Sequence, residues 1–279
     1  MSIETVSTIL TRAETAVEEL IAAEAFARAQ DAHLHVLTMG IGVDQPAMVQ
    51  TALDAAPVPT GMAERVEEAR AIATIAEEHL SQQDLRWDVD PVVTMVSHAG
   101  VEIARHTRFS DLVVLHRPDQ MPRDQVTAHL AEVILFDAHA PLLILPAGSK
   151  LVAPPRQIMV AWDDSGTALR AARLAMPLLR AADRVQVALV DPSSEAADRS
   201  DPGGAFAQYL ARQGVKAEVT VLSRSGASIA ETLERRAREV GCELIVMGAY
   251  GHSRLREAIF GGTTRYVLEQ GKMPVFLAH

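Results

Sequence analysis

The sequence predicts a two-domain α/β protein, each domain a doubly wound, five-stranded parallel sheet, and three observations carry that expectation. Short β-type runs alternate with longer stretches of helical periodicity along the whole chain. Two segments of the first half recur in the second: SDLVVLHRPD (110–119) lies over CELIVMGAYG (242–251) at an offset of 132, and HAPLLIL (139–145) over KMPVFLA (272–278) at 133. Between the copies runs GSKLVAPPR, Gly148–Arg156, whose Gly, Ser and paired prolines neither continue a helix nor enter a central strand. The repeat unit is therefore a domain, with residues 1–148 and 156–279 as the two copies and 149–155 as the linker.

Taken in order, the first copy offers strands at Thr5–Leu10, His33–Leu37, Val89–Thr94, Asp111–Leu115 and Pro141–Leu145. Met62, Val66, Ala69, Ala73, Ala76 and Leu80 recur every three or four residues, which lays one apolar stripe of a helix against the sheet. The Pro- and Gly-bearing stretch Gly40–Gly61 reads as a surface excursion. The second copy offers strands at Gln157–Trp162, Arg184–Val190, Val215–Leu222, Glu243–Met247 and Pro274–Ala278. Its first helix opens after the N-cap Ser165 and carries Leu169, Ala172, Met176 and Leu179, with Pro177 expected to kink it or end it early. Another carries Ile229, Leu233 and Val240 and stops at Gly241.

Composition narrows the function. A net charge of −10 argues against wrapping nucleic acid, where affinity comes largely from Lys and Arg on phosphates. No apolar run reaches the ~18 residues that span a bilayer, and the opening MSIETVSTIL has no basic segment ahead of its apolar residues, so a cytoplasmic protein is expected. The single cysteine, Cys242, excludes an intramolecular disulfide and reads as a small core hydrophobe.

The chemistry concentrates in MGAYGHSRLREAIFGGTTRYVL, Met247 to Leu268. The stretch leaves the end of an expected parallel strand and enters a helix whose first turn is Gly261-Gly262-Thr263-Thr264, the place where open α/β sheets bind ligands. Gly248 and Gly251 would let backbone amides approach a phosphate, and the amides of Gly262–Thr264 with the helix dipole would favour the anion. Thr263 and Thr264 add hydroxyls; the intervening His252, Ser253 and Arg254 are counted with the same site, Arg254 as its nearest mobile cation. By themselves such glycines suit a tight turn equally well.

The spacing Gly248-x2-Gly251-x9-Gly261 resembles the nucleotide motif of the universal stress protein family; it is neither a Walker A loop nor a Rossmann fingerprint. The resemblance extends through both halves, including VAWDDS (160–165) and the closing MPVFLAH. It implies an adenine nucleotide alpha hydrolase-like fold, with ATP in the second domain and ADP or AMP as substitutes. Asp163, flanked by Ala161 and Trp162, would lie near the adenosine, Val190 against the base, Met247 and Gly248 beneath ribose and phosphates, and Gly251, Gly261 and the Gly262–Thr264 turn as the phosphate cradle, where Mg2+ could join. Where the family most often carries Ser or Thr after the last glycine, this chain has Gly262, which removes one hydroxyl.

The first copy has His116 in place of Gly248, Asp119 in place of Gly251 and Arg12 near the place of Asp163, so no nucleotide is expected there. Single-domain members of the family dimerise through their last strands; the resemblance thus implies that Pro141–Leu145 and Pro274–Ala278 pair within this chain as an intramolecular pseudo-dimer. Further association into a homodimer, and an unknown protein partner, stay open.

Other chemistries are weaker. Gly251-His252-Ser253 opens like a nucleophile elbow, yet Leu255 stands where the closing glycine belongs. His33 and His35 would share a strand face, while His98, His106, His116 and His139 are scattered without zinc-helix spacing, so no metal site is expected. Arg235, Arg236 and Arg238 read as a solvated helix face interleaved with Glu231, Glu234 and Glu239. Three classes remain: a nucleotide-sensing regulator in a stress response, a nucleotide-free scaffold, and an enzyme that activates a substrate with ATP, for which no catalytic residue is identified beyond slow ATP hydrolysis at most.

Overall fold

The computed structural model describes residues 2–42, 60–117, 125–147, 151, 154–192, 201–250 and 262–279. Its strands are β1 (Thr5–Leu10), β2 (His33–Gly42), β3 (Trp87–Met95), β4 (Leu112–Arg117), β5 (Leu142–Pro146), β6 (Gln157–Ala161), β7 (Arg184–Val190), β8 (Ala217–Leu222), β9 (Leu244–Gly248) and β10 (Val275–Ala278). They form one continuous sheet in the order β3-β2-β1-β4-β5-β10-β9-β6-β7-β8. Every pairing is parallel except the central one, β5 with β10, where Val275 faces Ile144 and Leu277 faces Leu142. The expected pairing of the two closing strands is thus present. It joins two five-stranded units and removes an edge from each.

Helices cover both faces: α1 (Ala16–Ala29), α2 (Thr60–Leu80), α3 (Val96–Thr107), α4 (Gln125–Glu132) running into a π-helical turn at Val133–Asp137, α5 (Gly166–Leu174), α6 (Met176–Ala181), α7 (Gly204–Arg212), α8 (Ile229–Glu239) and α9 (Gly262–Glu269). Alternate strand residues feed two cores. Val6 and Leu10 pack with Leu20, Phe26 and Ile72 in a cluster that also holds Leu179, Val185 and Leu210. Ile9 and Leu37 pack with Ile103 and Ile134 in a second, which holds Leu233 and Val267. Each cluster draws on both halves of the chain, and because the two lie on opposite faces of the sheet the strands read as nearly unbroken apolar runs.

Local chemistry sets the boundaries. Ser165 caps α5 by accepting from the Ala168 amide at 3.1 Å, and Pro177 sits in the first turn of α6, so the expected single helix divides at Ala175. Ser228 and Glu231 form a reciprocal capping box at the start of α8, and Gly241 follows its end with φ of 74°.

Three expectations change. β2 continues to Gly42 instead of stopping at Leu37, so Gly40 belongs to a strand and not to a surface excursion; a Cβ there would lie 2.0 Å from the Arg65 carbonyl oxygen, because α2 crosses against it. The rest of that stretch, 43–59, lies outside the described residues. Glu234 is 3% exposed and accepts from the Lys272 amide at 3.0 Å, so it leaves the solvated charge face assigned to it. The histidines are less scattered than expected, since the rings of His35 and His106 stack with centroids 6.1 Å apart. Cys242 is buried in the second core as expected, and burial raises its thiol to about 11.

Candidate nucleotide site

In the second half the chain runs from β6 outward to β7 and β8, then crosses back to β9 and β10 on the other side. The reversal falls between β6 and β9, and the crevice outside their carboxyl ends is where a doubly wound sheet leaves room for a ligand. Ala161 and Met247 come from those two strand ends, and Val190 from the end of β7 beside them. The sequence therefore gathers these residues at one rim.

That rim is conformationally unusual. Asp164, Asp191 and Tyr250, each one to three residues beyond the end of β6, β7 or β9, have φ of 62°, 45° and 59°, the left-handed region. Ser225, after β8, has φ of 49°. For a side chain larger than glycine this conformation costs on the order of 1–2 kcal/mol, and such strain collects at functional sites. In the first half the positive φ angles of described non-glycine residues, at Asp31 and His139, precede β2 and β5 and so lie at the opposite strand ends.

Asp163 is exposed at this rim, and its Oδ1 accepts from the Ser165 amide at 3.1 Å, which fixes the carboxylate over the first turn of α5. Trp162 turns to the other face and stacks on Phe206 at 3.8 Å with the rings 1° from parallel. It serves the α7 packing and not the rim. Val190 is half-buried, and the neighbouring Asp191 pairs with Arg224 at 2.6 Å, which holds its carboxyl below the usual range.

Gly248 has a different reason from the one its spacing suggested. A Cβ there would lie 2.6 Å from the Ala168 amide nitrogen and 2.7 Å from the Thr167 carbonyl carbon and Oγ1. The missing side chain lets β9 meet the amino end of α5, so its space is taken by protein. Gly262 is the reverse: it is exposed at the first turn of α9, and no described residue lies within 4 Å of a Cβ built on it. Thr263 is half-buried; Thr264 is 3% exposed and its hydroxyl oxygen accepts from the Tyr250 amide at 3.3 Å, so Thr263 has the freer hydroxyl of the pair. Tyr250 itself packs on Phe136 of the first half at 4.9 Å, and burial raises its phenol strongly. Gly251, His252, Ser253, Arg254 and Gly261 lie outside the described residues.

The first half differs at matching strand ends. Arg12 pairs with Glu19 at 3.7 Å, whose carboxyl is raised by burial, and His116 approaches Glu18 at 3.6 Å. Asp119 lies outside the described residues. No described helix is long and apolar enough to cross a membrane.

Comparison with known proteins places these features. Residues 155–279 match the model of the universal stress protein family. A curated relative, universal stress protein Slr1230 of Synechocystis, is 35% identical over 72 residues, which are 26% of this chain and 24% of the relative. Among solved structures, a universal stress protein from Archaeoglobus fulgidus superposes with a TM-score of 0.68 at 16% identity over 98% of this chain and 95% of that one. A putative universal stress protein from Pseudomonas aeruginosa gives 0.63 at 15% identity over 99% and 93%. At such identities the likeness concerns the fold, and it spans both halves.

Proposed function

Residues 155–279 match the universal stress protein family model, and from that premise we propose that the chain is a member whose second half binds an adenine nucleotide, ATP in the first instance, as a regulatory or sensing element of a stress response. The observation that carries the reading is the rim itself: three adjacent strand ends, each followed by a non-glycine residue in the left-handed region, bracketing the switch point between β6 and β9. Asp163 and Val190 would meet the adenosine, and Thr263 with the amides of the α9 amino end would meet phosphate. Among the described residues nothing stands against Gly262 on that approach. Mg2+, when bound with ATP, would neutralise phosphate charge. ADP or AMP would use the same adenosine contacts.

Binding would stabilise this half by mass action and alter the surface between β9 and α9, which is how occupancy would reach a partner protein. A second reading, a scaffold that works without nucleotide, is favoured by one observation: the space freed by Gly248 is filled by Thr167 and Ala168.

Mass spectrometry of small molecules released from freshly purified protein, followed by titration with ATP and Mg2+, separates the two. One adenine nucleotide per chain, with thermal stabilisation lost in Gly251→Asp, supports the sensor. Absence of both bound nucleotide and ATP-induced stabilisation supports the scaffold.

A further inference from the structure

We propose that the first half carries a site for a divalent transition metal of the Zn2+ class, built from His35, Asp90 and His106. These residues come from β2, β3 and α3; α3 follows β3 directly, but His35 lies 55 residues before Asp90, so no short motif announces the set. One imidazole nitrogen from each histidine and one carboxylate oxygen of Asp90 lie within 4.8 Å of one another.

The register of the sheet builds the cluster. His35 is directly opposite Asp88, and Leu37 opposite Asp90, in the parallel pair β2–β3. Alternation along each strand puts His33, His35, Asp88 and Asp90 on the face that α3 covers, and His106 in the last turn of α3 reaches Asp90 with Nδ1 3.5 Å from Oδ2. The rings of His35 and His106 are 2° from parallel.

Two further observations point to a ligand. His35 Nδ1 is engaged with Asp88 Oδ2 at 2.7 Å, while its Nε2 is buried with no hydrogen-bond partner among the described residues. A buried polar atom without a partner carries an energetic cost that a bound cation would remove. Asp88 also contacts His33 Nε2, so one carboxylate bridges the two β2 histidines and fixes the His35 ring. A carboxylate that orients one imidazole nitrogen and leaves the other for a metal is the arrangement that commonly surrounds histidine ligands.

The ligand chemistry selects the ion. Two imidazoles and a carboxylate suit Zn2+ and its neighbours; Mg2+ and Ca2+ prefer oxygen throughout. Ligand atoms around tetrahedral Zn2+ stand about 3.3 Å apart, so the widest pair closes by at most about 1.5 Å. Asp90 and His106, with side chains 51% and 20% exposed, have freedom to move in. A water would complete four-coordination, while Glu102, one turn before His106 with Oε2 4.0 Å from its Nε2, stands by the ring nitrogen that does not face Asp90. The site depends in no way on nucleotide binding by the second half.

The test uses the full chain without a polyhistidine tag, stripped by chelation and titrated with Co2+ and then Zn2+. The expected result is one Co2+ per chain with the visible absorption of tetrahedral Co2+, displaced by Zn2+, and a Zn2+-induced rise in melting temperature. His106→Gln should weaken binding at least a hundredfold, and Asp88→Asn, which removes only the orienting carboxylate, about 10- to 100-fold. Should His106→Gln fail to fold, as its metal-free melting curve would reveal, Asp90→Asn takes its place. No Co2+ binding by the wild-type chain, or binding unchanged in His106→Gln or its replacement, overturns the site; unchanged binding in Asp88→Asn overturns the orienting role.

Discussion

Arg117 Nη1 donates to the carbonyl oxygen of Val267 at 3.1 Å, joining the end of β4 in the first half to the last turn of α9 in the second. The same guanidinium reaches the carbonyls of Leu268 and Gly271, so one cation meets several of the unpaired acceptors that end a helix. Arg117→Ala should therefore cost about 1.5–3 kcal/mol, the range for hydrogen bonds to a charged group. Chemical denaturation would measure it, and Arg117→Lys should restore only part, because an ammonium lacks the fork that spans several carbonyls.

Gly248→Ala should be among the most damaging single-methyl changes in the chain. The new carbon would meet backbone of α5 at 2.6 Å, which cannot rotate away as a side chain could. Overpacking of this kind typically costs about 1–3 kcal/mol, and displacing α5 would carry Asp163 with it. A lowered melting temperature together with weakened ATP binding is expected. Normal stability would mean that α5 tolerates the shift.

Gly262→Ser should do the opposite. No described residue lies within 4 Å of the added Cβ, and the hydroxyl would stand in the first turn of α9. One hydrogen bond to a charged phosphate is worth about 1.5–3 kcal/mol, so ATP affinity by calorimetry should rise roughly tenfold to a hundredfold with stability almost unchanged.

Alkaline pH should destabilise the second half through Cys242. Burial raises its thiol from 9.0 to about 11, so between those values the unfolded chain has lost a proton that the folded chain retains. Stability contributed by the neutral thiol is complete below about pH 9 and falls as pH rises towards 11. The raised Tyr250 phenol acts in the same direction. Urea midpoints at about pH 8 and about pH 10.5 should differ, and Cys242→Ala should reduce that difference.

The fold was readable because both faces of the sheet are covered: strands buried on two sides stand out as apolar runs, and the repeat of SDLVVLHRPD in CELIVMGAYG fixes the domain unit. Strand ends were less readable where the reason is tertiary. Gly40 looks like a loop residue, yet it is glycine because Arg65 lies against it. Gly248 was recognised as important from its spacing, while its contacts with Thr167 and Ala168 depend on a helix some 80 residues earlier. Trp162 was adjacent to Asp163 in sequence and was grouped with it; alternation turns it towards Phe206. The His35–Asp90–His106 cluster was invisible because strand register, not spacing, assembles it.

The antiparallel join of β5 to β10 has a consequence for how substitutions act. In a homodimer with this contact each mutation appears twice, once on either side of the twofold axis, so neither copy can change alone. Here the two sides are encoded separately. A change at Arg12 or His106 leaves its counterpart in the other half untouched, and the halves are free to diverge in what they hold while keeping the shared seam that makes them one sheet.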